Sequence, residues 1–518
     1  MLPRNIVVCA DGTGNKGGYS PDSNVYKVYK MVDKHYKGRC SDGVDVKEQI
    51  LFYDNGVGTA TNKIWRAVSG GFGLGFRRNV CDLYKFLARN YRDGDRIFFF
   101  GFSRGASTVR ACNGMIHKCG LAKGEGLRNQ ELDELVKEAY CAYQNHIKSP
   151  ERAINFKNNP EKSHGAVGVQ FLGVWDTVVA LGFPKRTDIT GPVTLLLNTV
   201  FGVLEKVSDY FFPHSFFHYK LTDNVAHACQ ALAIDDERTA FWPYVWQEKN
   251  IDEARDRTTD NVEQVWFAGM HSNVGGGYQR AGMAGVPLYW MMKRAQHHGL
   301  MFTDESMQKA YDDSHIHGRM YDSRSGFAML YRYHPRDIEE RCNNKLIGNN
   351  IKIHSSVIQR LNHRTANYAP GFIPAKFDVV DTDQSANVDH YDLTAESGWH
   401  ETRQRINKLV SYRKKMYGIM LAFVLAVLGY AIYLWAGLPD EVDRKGLSGD
   451  IADILDYFSL DLFDGLIQLI VVEKPWLSIT VIAFLGVYFF VNHILYKRTV
   501  AACEVLRHYI IEQKSESN

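Results

Sequence analysis

The nine cysteines form no Cys-X-X-Cys pair and no Cys/His cluster, so no zinc or other metal site can be read from the chain. Their odd, dispersed set favours reduced thiols in a protein folded in a reducing compartment. Charge of one sign is also lacking: 61 basic residues stand against 58 acidic ones, a formal charge of +3, too even to mark a nucleic-acid-binding surface. The N-terminus lacks the apolar run of a signal peptide. Met1–Ala10 runs directly into an apparent core strand, so synthesis in the cytoplasm without Sec-type export is expected. No internal repeat is visible, and no cofactor is expected. What is abundant is apolar matter. With 45% apolar residues in 518, the chain can bury a large core and divides into more than one unit.

Roughly the first 400 residues alternate short apolar runs with helical patterns, which predicts an α/β domain on a mostly parallel sheet flanked by helices. Strands are expected at Asn5–Ala10, Gln49–Tyr53, Arg96–Phe100, Val167–Val174 and Val262–Phe267, whereas Val225 to Ile234 reads as a helix. Each predicted strand ends in a polar or glycine-rich turn, and in open α/β sheets functional groups gather at these carboxyl ends. Leu300 to Asp383 is mixed in pattern. Glu396 to Met416 reads as a polar, partly helical connector to a different kind of segment.

One of those turns carries chemistry. Phe98 to Gly105 reads Phe-Phe-Phe-Gly-Phe-Ser-Arg-Gly, an apolar strand entering Gly-X-Ser-X-Gly, with a helix-forming run directly after it. This is the pattern of a nucleophile elbow, where flanking glycines are needed because side chains would clash with the neighbouring strand and helix. Ser103 is therefore the candidate nucleophile. A serine hydroxyl needs a histidine to take its proton and a carboxylate to hold that histidine in the right tautomer. His271 follows the strand Val262–Phe267 and precedes a triple glycine; Asp176 closes the strand before it. The order Ser103, Asp176, His271 is that of α/β-hydrolases. An Asp-Thr pair after a strand can also serve as a cap, and Asp235 and Asp236 are rivals for the acid role, read here as a helix-end pair. For the oxyanion, the backbone N–H of Arg104 is one expected donor, and the loop Asp11–Asn15 offers Gly12 or Thr13 as the second. That loop lacks the Gly-Lys-Ser/Thr ending of a phosphate-cradling loop. Gly70 to Gly75 repeats glycine without a clear strand before it and reads as a surface loop.

Two C-terminal segments change the class of the protein. Tyr417–Leu438 and Trp476–Tyr496 are almost wholly apolar, and at about 1.5 Å per residue each can cross a hydrocarbon layer of about 30 Å. Arg413–Lys415 precede the first and Lys497–Arg498 follow the second, while Asp440 and Glu441 lie between, which places both chain ends on the cytoplasmic side of a transmembrane hairpin. Ile451, Leu455, Phe458, Leu462, Leu466 and Leu469 recur at helical spacing, as in an interfacial helix. The expected division is a catalytic domain over 1–400 and a membrane region over 401–518. Leu195–Leu197, Val200, Phe201, Phe211, Phe212, Phe216 and Phe217 form an apolar stretch suited to an acyl pocket or lid, though core packing gives the same pattern.

Taken together, Val8–Asn15, Tyr53–Gly58, Gly101–Ala106, Gly173–Val178 and Trp266–Tyr278 resemble the DUF2235 hydrolases, which include the Tle1 group of type VI secretion lipase effectors. The resemblance extends through Ile353–Val357 and Tyr368–Pro370. It implies an α/β-hydrolase fold, a triad falling on Ser103, Asp176 and His271, and phospholipase A activity (A1 or A2). For an effector it further implies an immunity protein, a secretion-spike partner and delivery to the membrane or periplasm of a target cell. Where the family often reads His-Ser-Asp-Val-Gly-Gly-Gly, this chain has Asn273. Two other functions fit the same residues: a membrane-anchored esterase acting in its own cell, and a non-enzymatic membrane interaction module.

Overall fold

Alternating side chains of the central strands feed two separate cores, and this divides the domain into layers. Ile6, Val8, Ala10, Ile97 and Phe99 pack against the helices Phe76–Asn90, Arg104–Cys119 and Asn129–Gln144. Val7, Cys9, Phe98, Phe100 and Phe102 face the other way, against Asn24–Met31 and Gly282–His297. Strands buried on both faces need no polar side, which is why these runs read as continuously apolar.

The computed structural model describes residues 2–12, 15, 17–18, 21–56, 75–178, 221–248, 261–325, 328, 331–342, 351–383, 388–396, 398–435 and 472–516. Its strands are β1 (Asn5–Ala10), β2 (Gly38–Arg39), β3 (Asp45–Val46), β4 (Gln49–Asp54), β5 (Arg96–Phe102), β6 (Val169–Trp175), β7 (Val225–Ala233), β8 (Val262–Phe267), β9 (Ile351–His354), β10 (Lys376–Val380) and β11 (Asp389–Asp392). Nine form one sheet in the order β11-β10-β9-β8-β7-β6-β5-β1-β4, parallel throughout except for β11 on β10. β2 and β3 form a separate ribbon. From β1 the chain steps to β4, then jumps back across β1 to β5 and continues in the opposite direction. The winding thus reverses between β1 and β5, the place where α/β sheets open a crevice beyond their carboxyl ends.

The expected helix Val225 to Ile234 is instead β7, hydrogen-bonded between β6 and β8. Its alanines favour a helix intrinsically, but a place between two parallel neighbours overrides propensity. Asp235 and Asp236 therefore follow a strand, at the same carboxyl edge as the other turns. Glu396 to Met416 also differs from a polar connector: from Trp399 it is the start of a continuous helix running to Trp435. Trp399, Ile406, Leu409 and Val410 from this helix join Ala502, Cys503, Leu506 and Ile510 of a second long helix, Pro475–Glu516, in a core with Ile353, Phe377 and Tyr391.

Farther along, the two helices lie against each other in antiparallel fashion, with Phe423 stacked on Phe484 and Tyr430 near Trp476. Their outer surfaces expose Ile419, Tyr433, Ile479, Ile482, Val487 and Phe490. By length and composition both helices can cross a membrane, with mean hydropathy of 1.4 and 1.9 in their most apolar stretches. The expected interfacial helix between them, the apolar stretch proposed as a lid, and all but the last residue of Gly70 to Gly75 lie outside the described residues.

Candidate active site

Ser103 sits between β5 and the helix Arg104–Cys119 with φ +57° and ψ −122°, a conformation that costs an L-residue on the order of 1–3 kcal/mol. The sequence around it leaves no alternative. A Cβ on Gly101 would lie 2.6 Å from Ala106 Cα, and one on Gly105 would lie 2.1 Å from the carbonyl oxygen of Ala10. Both glycines of Gly-Phe-Ser-Arg-Gly are thus required for the helix to press against β5 and β1. The turn is pinned by the Ser103 N–H donating to Trp175 O at 3.1 Å, and Val178 N–H donates back to Ser103 O at 3.4 Å.

Those two bonds tie the serine turn to the turn after β6, where Asp176 is fully buried with φ +42°. Apart from a turn at Arg364, Ala366 and Asn367, Ser103 and Asp176 are the non-glycine residues with positive φ among the described residues. The Asp176 carboxylate is surrounded by donors. Arg336 grips it with two bonds of 2.7 Å, Ala233 N–H adds a third at 3.0 Å, and the ring Nδ1 of His271 makes a short contact with Oδ2. Burial alone would raise its pKa, but the charge of Arg336 and the bonds from His271 and Arg336 hold it well below the usual carboxylate range. An ionised carboxylate only accepts, so Nδ1 carries the hydrogen and Nε2 of the neutral ring carries the lone pair.

His271 opens the short helix His271–Gly275 after β8. Its ring lies 4.6 Å from that of Phe102, the neighbour of Ser103, and 5.0 Å from that of Phe241. Nε2 is buried and has no hydrogen-bond partner among the described residues. Gly275 makes this approach feasible, since a Cβ there would stand 1.9 Å from the Phe102 ring. The chain therefore brings Ser103, Asp176 and His271 to the carboxyl ends of β5, β6 and β8.

The rival acids have other partners. Asp236 accepts from the backbone N–H of His271 at 3.2 Å and pairs with Arg238 at 2.7 Å. Asp235 accepts from Gly269 N–H at 2.6 Å and from the Tyr368 hydroxyl at 2.9 Å. Asn273, the departure from the family pattern, donates to Arg319 O and accepts from Tyr321 N–H. It fixes the loop beside the histidine, and an aspartate could not make the donated bond.

Of the expected oxyanion donors, Arg104 opens its helix, so its backbone N–H lies at the positive end of the helix dipole. Gly12 packs on Phe102, but its N–H donates to Asp11 Oδ1 at 2.6 Å. Thr13 lies outside the described residues. Asp11, which the sequence presents only as part of a loop, also accepts from Asn15, Ser23 and Tyr53 and so anchors that loop to its surroundings. The other residue missed is Arg336. A lone arginine in a segment without clear periodicity carries no signal; only the pairing of Asp176 reveals it.

The family model of the type VI secretion Tle1-like phospholipase effector catalytic domain matches residues 4–294. An uncharacterized protein of Saccharomyces cerevisiae, YEL023C, is 29% identical over 228 residues, 40% of this chain. The chain spans 31% of that relative's length. A crystal structure of an uncharacterized protein from Pseudomonas aeruginosa aligns with 81% of this chain and 59% of its own, at 12% identity and a TM-score of 0.34. The structure of the Tle1 effector bound to the VgrG spike of the type 6 secretion system aligns over 55% and 53%, at 17% identity and a TM-score of 0.26. The family match covers more than half of the chain, which thus belongs to the Tle1-like phospholipase effector family through its catalytic domain.

Proposed function

We propose that this protein is a serine-dependent phospholipase that cleaves glycerophospholipid esters through an acyl-enzyme on Ser103. The observation that carries the reading is the strained Ser103 elbow beside a buried Asp176–His271 pair whose remaining ring nitrogen has no partner among the described residues. In this mechanism His271 Nε2 takes the proton of the Ser103 hydroxyl as its oxygen attacks the ester carbonyl. Asp176, held by Arg336, keeps the ring in the productive tautomer and stabilises the imidazolium that forms. The Arg104 N–H binds the developing oxyanion, joined by an N–H from the Gly12–Thr13 loop once a substrate oxygen competes with Asp11. Collapse expels the lysophospholipid with the proton from His271, and water activated by the same nitrogen releases the fatty acid.

Family membership supports a lipid ester as substrate, and the two apolar helices support a bilayer as the place of reaction. A site held at the interface gains rate because substrate is concentrated there. On the effector reading the protein is made in the cytoplasm, carried by a secretion spike and neutralised by an immunity protein in the producing cell. A second reading, an esterase resident in its own cell's membrane, is favoured by the way the long helices are built into the catalytic core. The test is incubation of protein and Ser103→Ala with mixed phospholipid vesicles, with products resolved by mass. Fatty acid and lysophospholipid released by the parent and not by the variant support the proposal. Equal release from both, or none from either, contradicts it.

A further inference from the structure

The segment Tyr333–Asp337, with a β-bridge at Tyr333 and extended backbone at Asp337, carries Arg336, and both ends of this strap are held by the first long helix. At one end Arg413, buried to 5% exposure, donates to the Tyr333 hydroxyl at 2.6 Å and stacks over its ring at 4.0 Å. The same guanidinium lies 3.7 Å from Glu237, next to the Asp236 that binds His271 N–H, and bonds Asn492 on the second long helix. At the other end Arg403 donates to Asp337 at 3.1 Å and to Gly371 O at 2.5 Å. Ten residues of helix rise about 15 Å, close to the reach of the four extended steps from Tyr333 to Asp337, about 13 Å. Helix and strap thus run alongside each other with a bond at each end.

Between those ends the strap touches the site on two sides. Arg336 grips Asp176, and it also donates to Ala233 O and Phe241 O. Tyr333 bridges to Arg238, and His334 N–H donates to Glu237 O at 2.8 Å, so the strap also sets the segment whose Phe241 ring abuts His271. A membrane anchor alone would need none of this, because its work is done by the apolar distal halves.

We infer that the base of the first long helix is a positioning element of the active site: Arg413 and Arg403 hold the strap so that Arg336 keeps Asp176 aligned with His271. The inference rests on the hydrolase reading of Ser103. It makes the lipid-facing helices and the chemical step mechanically continuous, since any tilt of the helix base moves the strap. A displacement of order 1 Å at catalytic groups can cost about 100-fold in rate; the loss of one remote contact is expected to cost less.

The experiment uses the full chain in detergent micelles with a soluble short-chain p-nitrophenyl ester, so that membrane binding plays no part. Arg413→Ala and Tyr333→Phe are expected to lower kcat about tenfold and threefold respectively, with KM within about twofold of the parent. Arg413→Lys, which can still donate to the Tyr333 hydroxyl, is expected to recover most of the loss. Should Arg413→Ala fail to fold by thermal unfolding, Tyr333→Phe and Arg413→Lys carry the test. Parent-like kcat in both Tyr333→Phe and Arg413→Ala, or in Tyr333→Phe alone where Arg413→Ala does not fold, overturns the inference, as does a loss of rate matched by the unfolded fraction or one that Arg413→Lys fails to rescue. Failure of the underlying reading looks different: Ser103→Ala then hydrolyses the ester as fast as the parent.

Discussion

Arg336 at the sheet edge and Arg413 at the base of the long helices are both nearly inaccessible, yet the two regions use them differently. Arg336 meets a carboxylate with two bonds of 2.7 Å, a fork that fixes orientation as well as position. Arg413 meets a neutral phenol at 2.6 Å and a carboxylate only at 3.7 Å. Charge is matched at 2.7 Å where the chemistry is proposed, and at 3.1 Å (Arg403–Asp337) and 3.7 Å (Arg413–Glu237) where the first long helix joins. The contrast predicts that the sheet edge is the stiffer side and the helix base the more adjustable one, which mutation can break or sharpen.

The largest effect is expected on the stiff side. Asp176→Asn should lower kcat on a soluble ester by about 10⁴-fold, because an amide no longer enforces the tautomer, whereas Asp236→Asn should cost about tenfold or less. Steady-state rates on both variants check this, and the reverse order would transfer the acid role. Next, Arg336→Met leaves the Asp176 charge buried with fewer partners and should destabilise the fold by about 3–5 kcal/mol, read from urea unfolding. An unfolding midpoint like that of the parent would mean that the pair contributes little.

Smaller is the pH effect. Burial pushes Asp235 up to about 6 despite its bonds from Gly269 and Tyr368, and it pushes the half-buried Asp54 up to about 7. A carboxyl whose folded pKa is raised binds its proton more tightly in the native state. Its contribution to stability is therefore greatest below the unfolded value of about 4 and is lost as pH rises through the folded pKa. Asp176, with a depressed pKa, works the other way: its contribution is present above about pH 4 and lost only in stronger acid. The urea midpoint of the parent relative to that of Asp235→Asn should thus fall between pH 5 and pH 8. Smallest on the chemical rate is Ile479→Ser with Phe490→Ser on the exposed outer face. These should weaken sedimentation with vesicles while leaving turnover of a soluble ester unchanged.

What could be read in the sequence follows the same contrast. β1, β5, β6 and β8 are short, mainly apolar runs, and the turns after β5, β6 and β8 carry Ser103, Asp176 and His271, so local pattern suffices. β7 was hidden because Val225–Ala233 is rich in alanine, and only its neighbours β6 and β8 make it a strand. Arg336, Arg403 and Arg413 were illegible for a different reason. Each is an ordinary charge in sequence, separated by 66 to 176 residues from the acid it meets: Arg403 from Asp337, Arg336 from Asp176 and Arg413 from Glu237. The role of Asp11 was missed likewise, since its partners Ser23 and Tyr53 lie on other elements. The long helices were visible as apolar spans, but their buried bases were not. Ile406, Leu409 and Val410 lie among charges that made the segment look like a linker.

The central claim is that Ser103 becomes acylated, and covalent capture tests it most directly. The full-length protein is treated with a fluorophosphonate ester and digested, and the modified peptide is identified by mass. The account predicts one adduct, on Ser103, formed in the native protein, strongly slowed in His271→Ala and absent after denaturation. An adduct on another serine, or continued phospholipid cleavage by protein whose Ser103 is fully modified, would contradict it.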